Sequence, residues 1–294
     1  MFFQQLFNGI TVGSVYVLIA IGLTMIYGVL ELLHFAHGVV YMAGAFAAVS
    51  CITLFHSSIF IAVIAAMIVS AFFGWLIEFF AYKPVRNSPK ITALISGIGM
   101  AIVLENVYRI IYGSQTRAFP QEGIAPIKTY NISQWVSITN YQIYIMVVAA
   151  VLVIILHLYL KKTKSGMAMR AVSMDFDASS LMGISVNKVI SVTFIIGSAL
   201  AGVAGTLVAL YFNAVYPSMG SMPGMKAFAI VVLGGLGSIP GTIIGGLFLG
   251  IVESFADGYL GNFIVGKDAF AFIILILVLL IKPSGIFGKK IEKV

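Results

Sequence analysis

Long apolar runs separated by short polar breaks dominate the chain, at residues 9–30, 39–55, 59–81, 91–112, 142–160, 189–212, 226–256 and 269–281. Most are near the roughly 20 residues that an α-helix needs to cross about 30 Å of hydrocarbon. None alternates polar and apolar positions as a membrane β-strand would. The pattern predicts an all-α polytopic membrane protein of about eight hydrophobic segments, forming a single transmembrane domain over residues 1–294. Two places break the pattern. Glu31-Leu-Leu-His34-Phe35-Ala36-His37-Gly38 interrupts the N-terminal part, and Gly234-Gly235-Leu-Gly237-Ser238-Ile-Pro240-Gly241 interrupts a run too long for one span. Glycine weakens a helix and proline removes a backbone donor. Non-helical backbone at membrane depth is tolerated only where protein or a water-filled cavity covers it. Glu31, His34, His37, Gly38, Gly237, Ser238, Pro240 and Gly241 are therefore candidate pathway residues on broken or re-entrant helices. Broken segments in both halves are what an inverted repeat produces, with the substrate path between them.

Composition narrows the class further. The chain is 61% hydrophobic and 9% charged, which excludes a soluble domain with an ordinary polar surface. Its net charge of +7 raises nucleic acid as a partner, but the cations form no single patch or basic helix, so membrane lipid is the expected environment. They cluster instead at Lys83, Arg86 and Lys90, at Lys161, Lys162, Lys164, Arg170 and Lys188, and at Lys282, Lys289, Lys290 and Lys293. The positive-inside rule puts all three clusters in the cytoplasm. The polar stretch 113–141 then lies outside. Three runs remain between Lys188 and Lys282, an odd number that would leave the tail on the wrong side. The sequence therefore predicts that 226–256 is two half-helices that turn back. For the N-terminus two layouts stand: cytoplasmic if the segment after Glu31 is re-entrant, outside if 39–55 crosses fully. MFFQQ carries no Lys or Arg and no A-x-A-like site follows, so no cleaved signal peptide is expected.

Residues 175–188 are polar and helix-capable in an otherwise apolar chain, and cations rim them. Such a segment is read as a docking helix for another protein on the cytoplasmic side. His34-x-x-His37 beside Glu31 suggests a metal at first sight, but no third ligand stands at zinc spacing, so no metal is assigned. Glu105 and Arg109 share a helix face and pair into the bundle, making Glu105 a further pathway candidate. Glu253 and Asp257 read as interface residues. Gly261-x-x-x-x-Gly266-Lys267-Asp268 nearly matches a phosphate-binding loop, but Asp268 replaces the required hydroxyl. No ATP hydrolysis, catalytic residue or cofactor is expected of this chain.

Several stretches carry a resemblance. They are Phe7-Asn8-Gly9-x-x-x-Gly13-Ser14-x-Tyr16, Phe35-Ala36-His37-Gly38 with Tyr41-Met42, Ala81-Tyr82-Lys83-Pro84-Val85-Arg86, Gly224-Met225-Lys226-Ala227-Phe228, and Val232 through Gly241. Nearly end to end, the chain resembles LivH-type permease subunits of branched-chain amino acid ABC importers (the LivH/LivM inner-membrane permeases). The resemblance implies a bacterial inner-membrane subunit that pairs with a sister permease subunit or itself, two cytoplasmic ABC ATPases and a periplasmic substrate-binding protein. It also implies that 161–188 is a cytoplasmic coupling loop. Within it, Asp177-Ala178-Ser179-x-x-x-Gly183 is similar to the E-A-A-x-x-x-G coupling motif of ABC permeases. Val39 and Val40 stand where such permeases often carry a Glu. A urea or short-amide permease, a stand-alone facilitator and a membrane enzyme are the competing classes.

Overall fold

The computed structural model describes residues 1–120, 124–133, 136–260, 267–282 and 285–288. In chain order the helices are α1 (Phe2–Leu30), α2 (His37–Phe55), α3 (Ile59–Ile77, continued by a π-helical turn, Glu78–Tyr82) and α4 (Lys90–Tyr112). A short antiparallel ladder of β1 (Thr129–Ser133) and β2 (Val136–Thr139) follows, with Thr129 opposite Thr139. Then come α5 (Asn140–Lys162), α6 (Lys164–Val172), α7 (Phe176–Leu181), α8 (Val186–Phe212), α9 (Ser221–Gly234), α10 (Ile239–Leu260) and α11 (Lys267–Ile281). Among the described residues seven helices are long and apolar enough to cross a membrane, while α9 and α11 are shorter apolar helices.

α1 is apolar all round and buried through most of its length, as a helix at the centre of a bundle must be. It packs along α10 and crosses α8 where Gly22 meets Gly197; a Cβ on Gly22 would stand 2.4 Å from the Gly197 carbonyl oxygen. Small residues at such crossings let backbones touch, which is where membrane helices gain their packing energy. α4 and α5 expose much of their apolar surface.

The two halves repeat each other in outline. α1 and α8 both end on a left-handed residue, Glu31 (φ 50) and Asn213 (φ 51). Each is followed by an unwound stretch that leads to a glycine, Gly38 or Gly220, at the start of the next helix. α1 packs on α10 as α8 packs on α3, and α9 lies against α1 as α2 lies against α8. This is the pattern of an inverted repeat.

The topology closes. Gln4 exchanges two 2.9 Å hydrogen bonds with the Ser137 backbone, so the start of α1 sits beside the β1–β2 ladder, on the outer side. With the ladder outside under the positive-inside rule, the N-terminus lies outside as well, and residues 31–36 lead back along α1 so that His37, at the start of α2, lies level with Ile19 well inside that helix. The chain breaks at 235–238 as the glycines suggested, and α9 has half length. The expectation of two half-helices needs correction, however, because α10 has 22 residues and crosses fully. Pro240 lies in the first turn of α10, where its missing N–H has no intrahelical acceptor to lose, so it starts a helix instead of breaking one. α11 begins beside Lys226 of α9 and returns toward the cytoplasm. There the N–H groups of Ile286 and Phe287 donate to Leu233 and Gly234 carbonyls at 2.9 and 3.1 Å. A second correction concerns 175–188. Only Phe176–Leu181 is a separate helix, followed by a turn and the first residues of α8. The near phosphate-binding loop falls mostly on 261–266, outside the described residues.

Candidate functional site

The starts of α2 and α9 meet inside the bundle. A Cβ on Gly220 would stand 1.8 Å from the Gly38 carbonyl oxygen, and one on Gly38 would stand 2.2 Å from that of Gly220. Only glycine permits this approach. Beside the contact lies a cavity of about 330 Å³ whose walls include His34, Phe35, Gly38, Glu105, Ser221 and Gly224, and Ile98, Ala101 and Ile102 of α4 also face it. Helix N-termini leave backbone N–H groups unpaired and carry partial positive charge. The backbone bonds at these two starts engage Val39, Val40, Ser221 and Gly224 but leave the N–H of Gly38, on the cavity wall, without a backbone acceptor. Glu105 is the cavity's carboxylate, held by Arg109 at 2.8 Å one turn away.

Two histidines fix the start of α2. His37 is 1% exposed, and its Nε2 lies 3.0 Å from the Ile19 carbonyl oxygen of α1, so that nitrogen carries the proton. His34 lies 3.0 Å from the Tyr82 hydroxyl through Nδ1 and packs edge-on against Phe194 and Tyr82. Among the described residues no three metal-ligating side chains converge.

The start of α9 is fixed quite differently. Lys226, 3% exposed, points its Nζ at Glu253 of α10 (2.8 Å to Oε1) and Asp268 of α11 (2.6 Å), and donates to the Tyr16 hydroxyl of α1 at 2.9 Å. Tyr16 in turn donates to Glu253 at 2.6 Å. One cation thus joins four helices. The sequence signal for this set is Lys226, a charge inside an apolar run, although the run alone predicts two half-helices and only an interface role for Glu253. Glu253 is in fact 3% exposed and paired.

The cytoplasmic end carries a third arrangement. Arg86 pairs with Glu78 of the π-helical turn at 2.5 Å and donates to Asn187, while Ser191 donates to Glu78 at 2.9 Å. This ties the loop after α3 to the first turns of α8, directly behind α7. Asp175 caps α7 by accepting from the Ala178 N–H at 2.9 Å. Asp177 and Ala178 are exposed and Ser179 is buried, while Gly183 sits at φ 80, a conformation that favours glycine. Met174, Leu181 and Met182 project outward, each more than 80% exposed.

The other candidates separate. Glu31 is exposed at the cytoplasmic end, 3.0 Å from Lys90. Gly237 and Pro240 line a different, cytoplasmic cavity. Gly241 packs on Gly234, and Ser238 accepts from the Gly241 N–H at 3.3 Å, so both serve the turn. His34, Gly38 and Glu105 come together, joined by Gly220, Ser221 and Gly224.

Residues 5–279 match the family model described as branched-chain amino acid transport system, permease component. The chain belongs to this family. It is a multi-pass inner-membrane permease component and not itself an enzyme. It is 42% identical to the high-affinity branched-chain amino acid transport system permease protein LivH of Escherichia coli K12, over 100% of this chain and 98% of that protein. The corresponding protein BraD of Pseudomonas aeruginosa is 41% identical over the same shares. A probable branched-chain amino acid transport permease of Methanocaldococcus jannaschii is 31% identical over 97% of this chain and 93% of its own length. No solved structure matches.

Proposed function

We propose that the permease passes branched-chain amino acids through the cavity at the Gly38–Gly220 contact, as one half of an ATP-driven importer. The observation that carries this reading is the chemistry of that cavity. A zwitterion with an apolar side chain needs a site for a carboxylate, a site for an ammonium and an apolar wall. The start of α2, with its free Gly38 N–H, suits the first, Glu105 the second, and the walls from Phe35, Ile98 and Ile102 the third. The same apolar wall disfavours urea.

The partners proposed are a second copy or a sister permease, two cytoplasmic ATPases docking on 161–188, and a periplasmic binding protein. Exposed Met174, Leu181 and Met182 beside Asp177 offer an apolar docking face, and the Glu78–Arg86 clamp would pass its displacement to α3 and α8 as a rigid-body shift. Solute then moves as the halves around the fixed cavity rock.

The test is uptake by the assembled transporter in ATP-loaded proteoliposomes, leucine against urea. Leucine uptake dependent on ATP is expected; urea uptake, or leucine flux without ATPase subunits, would contradict the reading. Gly183→Val should abolish uptake with the protein still in the membrane, because the left-handed backbone there is strained by any Cβ. Unchanged uptake would remove the docking role from this turn.

A further inference from the structure

We propose that the cytoplasmic-side cavity between α1, α5, α6 and α10 is a binding site for an anionic phospholipid, independent of which solute the permease carries. The cavity encloses about 320 Å³ and brings together His157 and Lys161 of α5 and Arg170 of α6 over a floor that includes Leu160 and Met169, with Ser173 at its edge donating its hydroxyl to the Arg170 carbonyl at 2.8 Å. Local structure makes the cluster. His157 and Lys161 are four residues apart and share a face of α5. Thr163 then turns the chain, accepting from the Gly166 N–H at 3.0 Å. α6 folds back so closely that a Cβ on Gly166 would stand 2.5 Å from the Tyr159 and Leu160 carbonyl oxygens. That return carries Arg170 to the rim beside Lys161.

No carboxylate lines the cavity, and among the described residues none of the three basic side chains makes a hydrogen bond or ion pair. Unpaired cations gathered over an apolar floor match an anion with an apolar body. Lipid is the occupant the surroundings favour. Ile154, Ile155 and Leu158, on the same stretch of α5, are each more than 40% exposed on the outer side of the bundle. The basic residues lie at the cytoplasmic end of that span, at headgroup depth, where the inner leaflet presents its phosphates. A soluble anion would have no use for the apolar approach. Because α6 leads directly into α7, which bears the proposed docking motif, a lipid held here would brace that segment against α1, α5 and α10.

The full chain in phosphatidylcholine nanodiscs doped with phosphatidylglycerol, examined by native mass spectrometry, tests this. Phosphatidylglycerol should be retained. Lys161→Gln with Arg170→Gln should weaken retention roughly twenty-five-fold, since each basic side chain near an anionic surface contributes a factor of about five. Lys161→Arg with Arg170→Lys should retain it, and so should Lys162→Gln with Lys164→Gln, which removes two neighbouring charges outside the cavity. Should the first pair fail to fold, Arg170→Glu on the exposed rim serves instead and should weaken retention as strongly. Equal loss in the Lys162/Lys164 pair, no retention by the natural chain, or displacement by equimolar inorganic phosphate would each overturn the site.

Discussion

The starts of α2 and α9 meet at Gly38 and Gly220 and do the same geometric job, yet they are anchored by opposite chemistry. α2 is held by neutral groups: His37 on a carbonyl, and His34 against Tyr82 and Phe194. α9 is held by an ionic set in which Lys226 meets Glu253, Asp268 and Tyr16. The contrast teaches how a membrane protein stabilises broken helices. Losing one partner of a buried neutral hydrogen bond costs about 1–3 kcal/mol, whereas breaking a buried ion pair costs about 3–5 kcal/mol because it leaves an uncompensated charge.

Breaking the ionic anchor should have the largest effect. Lys226→Met strands two carboxylates and should cost about 3–5 kcal/mol, read as a fall in the unfolding midpoint in detergent. Adding Glu253→Gln should restore part of that loss, and strictly additive losses would show that the two side chains are not coupled. Next comes the shared contact. Gly220→Ala drives a Cβ into the Gly38 carbonyl and should cost about 1–3 kcal/mol, with uptake falling further than stability because the cavity wall shifts. On the neutral side, Tyr82→Phe removes the partner of His34 and should cost about 1 kcal/mol, measured the same way. The smallest change should follow Lys90→Ala, which breaks the pair to Glu31, both side chains about 70% exposed; it should stay under about 1 kcal/mol.

The same contrast explains what could be read from the chain. Apolar runs located nearly every helix, polar residues located the break at Glu31–Gly38, and glycines with Pro240 located the one at 234–241, because hydrophobic length and backbone weakness are local properties. His34 and Gly38 were legible as a break at membrane depth for the same reason. Gly220, Ser221 and Gly224 were not, since an unwound stretch that starts outside the membrane looks like an ordinary loop until α2 is seen to abut it. Lys226 was hidden by its neighbours: a lone cation in an apolar run gains meaning only from Glu253, Asp268 and Tyr16, which three other helices supply. Glu31 stands apart from the cavity because the chain turns at its left-handed backbone and leaves its side chain exposed at the cytoplasmic end, beside Lys90. The β1–β2 ladder went unread within a stretch whose only visible property was polarity.

The central claim, that solute passes where α2 and α9 meet, is tested most directly by protection. Cys51 is the chain's single cysteine, so Cys51→Ser with Ser221→Cys places one thiol on the cavity wall, and Cys51→Ser with Ser173→Cys places one in the cytoplasmic cavity instead. In the assembled transporter, leucine should slow modification of the thiol at 221 by a small methanethiosulfonate reagent and leave the thiol at 173 unaffected. Equal rates at 221 with and without leucine, under conditions of active transport, would contradict the account.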